Sequence, residues 1–132
     1  MKDDGATAVK PTFEEVIAQY RQFLAERDWG KKEPKNFAVS ISLEANELLE
    51  HYQWSDDPVG TPDELADELA DIMLYAIQFA DCYDIDIPAA MLRKLQKSAK
   101  KYPASDFRGK SPQDQRTAWQ AAKKRHNKSE SL

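Results

Sequence analysis

The sequence predicts an all-α fold, a bundle of four to five helices whose core is completed by self-association. Three observations predict it. Apolar residues recur at three- and four-residue spacing through every long segment. No segment alternates apolar and polar residues over strand length, and β-branched runs are absent. Caps and stops divide the chain at short intervals, which favours antiparallel neighbours.

Residues 1–11 are polar and lack periodicity, so they read as a disordered lead-in. Thr12 opens a capping box with Glu15 (T-F-E-E), the start of a first helix. Phe13, Val16, Ile17, Tyr20, Phe23 and Leu24 follow at helical spacing, so that helix runs to about Asp28, where Trp29 and Gly30 end it. A short basic loop follows. The second helix is expected from about Lys35 to Trp54, with Phe37, Ala38, Ile41, Ala45, Leu48, Leu49 and Tyr52 on its apolar face. "SDDPVG" breaks it. "TPDE" then supplies Thr61 as N-cap, Pro62 at the first helical position and Glu64 two residues on. That third helix is expected to reach about Tyr83, before "DIDIP". A fourth fills roughly 88–102 up to Pro103, and after a loop residues 112–126 form one more around Trp119. The domain organisation expected is a lead at 1–11, a helical domain at 12–110 and a C-terminal helix with tail at 111–132.

The 132 residues are 41% hydrophobic and 32% charged, the balance of one soluble globular domain. No apolar stretch reaches the ~18 residues of a membrane span, and no signal-peptide core is visible. Cys82 is the single cysteine, which excludes an internal disulfide and a Cys-rich zinc site and suits the cytoplasm. The net charge of −4 hides an asymmetry: residues 1–92 hold 7 Lys/Arg against 20 Asp/Glu, and residues 93–132 hold 12 against 3. Such a split fits an acidic cation site beside a basic phosphate-binding segment. It equally fits two halves that attract each other, or a solvated basic tail.

The chemistry concentrates in "ELADELADIMLY", residues 64–75. Glu64, Asp67, Glu68 and Asp71 fall on one helical stripe, continued by Tyr75 and Phe79. Asp63 and Glu64 are explained by the helix dipole and the cap. Asp67 reads either as a surface residue or as part of the site. Glu68 and Asp71 lie beyond the dipole. On the preceding helix, Glu44 sits at the rim of the apolar face and Glu47 one turn on, neither with a Lys or Arg three or four residues away. Counted from the turn, Glu44 and Asp71 are equally distant, as are Glu47 and Glu68, so an antiparallel pair should set them face to face. Four such carboxylates need a cation, and hard oxygen ligands without His or Cys favour Mg²⁺, with Mn²⁺ the alternative.

The E-x-x-E pair (Glu44, Glu47) followed by E-x-x-D (Glu68, Asp71) resembles the MazG-like, all-α nucleoside triphosphate pyrophosphohydrolases, closest to their dCTP pyrophosphatase branch. "AERDW" (25–29), "PKN" (34–36), "EHYQW" (50–54), "ELADIMLY" (68–75), "KYP" (101–103) and "RG" (108–109) occur in that family's order over about residues 12–110. The resemblance implies the all-α NTP pyrophosphatase fold and a homodimer or a dimer-of-dimers tetramer. It also implies Mg²⁺ held by Glu44, Glu47, Glu68 and Asp71, and cleavage of an NTP between its α and β phosphates. The substrate implied is dCTP or a modified dCTP, removed as house-cleaning of the nucleotide pool. Trp29, Trp54 and Tyr75 match the family's substrate-contacting aromatics, although two Trp residues at helix ends also serve as plugs of a core. Lys31, Lys32, Lys97, Lys101 and Arg108 are candidates for the triphosphate. Two positions depart from the pattern: Ser98 stands where relatives carry Asn, and Tyr20 where some carry His, so base preference does not transfer directly. His51, beside the E-x-x-E turn, reads as a surface or rim residue. The competing class is a non-catalytic metal- or nucleotide-binding helical regulator or partner-binding module. A nucleic-acid partner ranks below both, because the acidic face repels phosphate backbones.

Overall fold

The computed structural model describes residues 9–129 of the chain, so most of the expected lead-in lies outside the described residues. The described chain is helical, without strands: α1 (Phe13–Ala25), α2 (Pro34–Glu50), α3 (Pro62–Cys82), α4 (Ile87–Lys101), a 3-10 turn (Ala104–Asp106) and α5 (Pro112–Ser129). It forms two compact units that divide after Ile85. The first holds α1 to α3.

Both expected capping boxes form. The Thr12 and Thr61 hydroxyls accept from the backbone N–H groups of Glu15 and Glu64 at 3.2 and 3.3 Å. The two glutamates reach back to the threonine N–H groups at 2.8 and 2.7 Å. α1 stops because Asp28 takes a left-handed conformation (φ 54°), so that Trp29 N–H donates to Leu24 O at 2.9 Å. Asp84 (φ 52°) does the same after α3, where Ile85 N–H donates to Ala80 O at 2.9 Å.

α2 ends earlier than its apolar period suggests. Its last residue is Glu50, with His51 as the C-cap, and Trp54 lies in the turn beyond. The turn is closed by Val59 N–H donating to His51 O at 2.8 Å and by Ser55, whose hydroxyl donates to Asp57 O at 2.7 Å and accepts from Asp57 N–H at 3.2 Å. These bonds take groups that a longer helix would need.

α2 and α3 pack along each other as antiparallel partners, with Glu44 beside Asp71 and His51 beside Glu68. α1 docks on the C-terminal half of α3. Arg21 makes a bidentate pair with Asp81 (3.1 and 2.7 Å), and the Gln78 amide donates to the Tyr20 hydroxyl. Among the described residues of this unit, Ile17, Leu24, Ile77 and Ala80 are the buried apolar ones. Ile77, 2% exposed, is worth about 2–3 kcal/mol of burial.

That core is thinner than the apolar pattern implies. Ala38, Ala45, Leu49 and Tyr52, assigned to the inner face of α2, are exposed, and so is Leu69 of α3. Three helices offer too few facing surfaces to cover every apolar stripe.

The second unit comprises α4 and α5. Asp86 caps α4 through Ala89 N–H at 2.9 Å, and Ser111 caps α5 through Asp114 N–H at 3.1 Å. Ala122 is its buried centre, and Tyr102 meets Phe107 edge-on at 6.0 Å. No described helix is long and apolar enough to cross a membrane.

Candidate functional site

The site is built where α2 and α3 run side by side just before and after their turn. The capping box at Thr61 sets where α3 begins, and the helical repeat then carries Glu68 and Asp71 onto the face toward α2. On α2 the same repeat brings Glu44 to that face. One carboxylate oxygen from each of Glu44, Glu68 and Asp71 lies within 4.8 Å of the others.

Three like charges so close repel one another unless something lies between them. Glu44 registers the strain: its carboxyl is pushed above the ordinary range, first by partial desolvation and then by the charges of Glu47, Asp71 and Glu68. Oxygens no more than 4.8 Å apart can all touch one cation at bond lengths of about 2.0–2.6 Å. The donor set is oxygen throughout, so the residues fit a hard divalent ion.

Glu47 stands outside the three-oxygen group. It borders an open cleft of about 500 Å³ with Glu50, His51, Trp54, Val59 and Glu68. The cleft therefore runs from the carboxylates to the indole of Trp54, which is 84% exposed. At the other end, the Tyr20 hydroxyl is pushed up by burial, opposed by its Gln78 bond, with smaller contributions from Tyr75 and Asp71. Tyr20 and Tyr75 are thus near neighbours of the cluster. Phe23 stacks beside Tyr20 at 6.3 Å and meets Trp29 edge-on at 6.0 Å, forming an aromatic row.

The remaining candidates separate. Lys31 and Lys32 line a smaller cavity with Leu24, Phe37, Gln78 and Asp81. Lys97 and Lys101 belong to the second unit, in a groove between α4 and α5 shared with Lys94, Lys100 and Arg125. Arg108 is exposed in the turn before α5. Asp67 is exposed and outside the three-oxygen group.

Gln78, which binds Tyr20, escaped the sequence reading, and His51, read there as a surface or rim residue, is half-buried against Glu68. Neither carries a local signal, since each depends on a partner brought close by folding.

The sequence profile of the MazG-like family matches residues 39–113. The chain is similar to dCTP pyrophosphatase 1 of Homo sapiens, 35% identical over 104 residues that cover 72% of this chain and 61% of that protein. The Bos taurus protein of the same name is 32% identical over 109 residues, 76% of this chain and 64% of that one. The chain thus spans less than two-thirds of the length of these relatives. Among solved structures, a pyrophosphatase from Archaeoglobus fulgidus superposes with a TM-score of 0.60 at 33% identity, covering 73% of this chain and 96% of that one.

Proposed function

The chain belongs to the MazG-like family, and on that premise we propose that it is a Mg²⁺-dependent nucleoside triphosphate pyrophosphohydrolase. The reaction is hydrolysis of a (d)NTP between its α and β phosphates to (d)NMP and pyrophosphate. Relatives named dCTP pyrophosphatase make dCTP or a modified dCTP the substrate to try first. The reading rests on one observation above all: three carboxylate oxygens from two helices converge within 4.8 Å beside an open cleft.

A triphosphate is strongly anionic and cannot enter an acidic pocket bare. Glu44, Glu68 and Asp71, completed by Glu47 on the cleft side, are the residues that would hold Mg²⁺, with Mn²⁺ the alternative. That ion, when bound, neutralises the phosphate charge and makes water a better nucleophile. The protein's own part is positional. α2 and α3 fix the carboxylates on rigid elements, and a carboxylate oxygen of this set not engaged by the ion accepts the proton of the attacking water. Trp54, Trp29 and Tyr75 are the aromatic surfaces proposed for the base, where stacking is worth ~1–3 kcal/mol. Lys31, Lys32, Lys97, Lys101 and Arg108 are proposed for the phosphates on the family resemblance alone.

Self-association to a homodimer or a dimer-of-dimers tetramer belongs to the same proposal. It is supported by Leu43, Leu49 and Leu69, which stay 54–63% exposed on α2 and α3. A cytoplasmic location, where nucleotide pools are cleaned, completes it. The test is a panel of NTPs and dNTPs with and without Mg²⁺, with products separated by chromatography. Cation-dependent turnover of a deoxynucleotide supports the proposal; binding without hydrolysis of any member favours a non-catalytic binding module.

A further inference from the structure

α2 ends on His51, and the fold spends several contacts on where that ring lies. Val59 N–H donates to the His51 carbonyl at 2.8 Å and folds the turn back over the helix end. The backbone at Gly60 then passes against the imidazole. A Cβ at that position would stand 2.4 Å from both Cε1 and Nδ1 of His51. Gly60 does not adopt a left-handed conformation, so the glycine is needed for space and not for backbone freedom. Pressed from that side, the ring presents Nε2 to Glu68 Oε1 at 3.5 Å, the outer limit of a hydrogen bond. Both side chains are largely withdrawn from solvent, 16% and 23% exposed.

Glu68 needs such a partner. Its oxygen lies within 4.8 Å of those of Glu44 and Asp71, where like charge opposes its staying. Among the described residues, the His51 ring is the group within hydrogen-bond reach of Glu68. A neutral ring protonated on Nε2 supplies that donor, so no change of charge is required. We infer that His51, seated by Gly60, is a positioning residue that holds the Glu68 carboxylate in the cation site. The inference rests on the proposed metal role of Glu44, Glu68 and Asp71 and deepens it. Residues behind a ligand that orient it are commonly worth 10–100-fold in metal affinity.

The geometry makes a specific demand on Gly60. A methyl group there displaces the ring and meets Glu64 Oε2 less severely, at 3.0 Å, so the effect of Gly60→Ala on the cation site acts through His51 and is lost once the ring is gone. The experiment is calorimetric titration of Mn²⁺ alone into the full chain, with the thermal midpoint of each metal-free variant recorded alongside. His51→Ala weakens Mn²⁺ binding ~10-fold, and His51→Gln, which keeps an N–H donor, restores most of it. Gly60→Ala weakens binding by a similar factor but adds nothing to His51→Ala. Glu68→Gln is the reference arm. If it loses Mn²⁺ affinity while His51→Ala keeps it, the positioning role is overturned and the metal site stands. If Glu68→Gln binds Mn²⁺ as the unaltered chain does, the metal reading fails and takes the role of His51 with it. Equal loss of affinity in His51→Ala and His51→Gln, tracking an equal fall in thermal midpoint, reduces His51 to a structural residue and also overturns the inference.

Discussion

Glu44 and Asp71 lie on different helices, 27 residues apart in the chain, yet a carboxylate oxygen of each comes within 4.8 Å of the other. Glu68 completes the group, and the Glu44 carboxyl responds by holding its proton to higher pH than usual. Self-repulsion of this kind is relieved by a cation, so the proposed site would link stability, metal binding and catalysis through the same oxygens.

That linkage gives the metal-free protein a pH signature. Glu44 titrates higher in the folded chain than in the unfolded one, so its contribution is fully present below the unfolded value near 4.5. It is lost as pH rises through the folded value. In thermal melts of the metal-free protein, Glu44→Gln should therefore raise the midpoint at pH 7 and leave it nearly unchanged below pH 4.5. Mg²⁺ should raise the midpoint of the unaltered chain at pH 7 and do so less in the variant.

Asp71→Asn keeps the shape of the side chain and removes its charge. Pyrophosphate release should fall about 100-fold or more, the scale of losing one charge-stabilising group. The metal-free variant should at the same time melt no lower than the unaltered chain. A loss of activity accompanied by a large loss of stability would point to misfolding instead.

Trp54 is 84% exposed, and the packing of α2 and α3 gains little from it. Trp54→Ala should raise KM ~5- to 150-fold, corresponding to ~1–3 kcal/mol of base stacking, with little change in thermal midpoint. Steady-state kinetics on the preferred nucleotide decide this, since a mere end plug would alter stability and leave KM alone.

Ile77 makes the converse case. It is 2% exposed at the centre of the first unit, and Ile77→Ala should cost about 2–5 kcal/mol in urea unfolding. Residual activity per folded molecule should remain.

What could be read from sequence was what depends on neighbours along the chain. The Thr12–Glu15 and Thr61–Glu64 boxes are complete within four residues, and both form as written. The approach of Glu44 to Asp71 follows from helical rise and a short turn. The end of α2 was harder, because Leu48, Leu49 and Tyr52 continue the helical period past Glu50. The return of Val59 onto His51, with the bonds between Ser55 and Asp57, stops the helix. His51 itself was illegible for the same reason: its meaning lies in Gly60 and Glu68, nine and seventeen residues away. The exposed Leu43, Leu49 and Leu69 mark a further limit, since one chain's apolar period does not say whether its cover comes from within.

The converging carboxylates are proposed to serve α–β cleavage of a nucleoside triphosphate. The most direct measurement is ion chromatography of dCTP incubated with the protein and Mg²⁺, with a parallel incubation containing excess chelator. dCMP and pyrophosphate should form in equal amounts, and neither product when the cation is removed. Formation of dCDP and phosphate, or turnover that persists with the chelator, would contradict it.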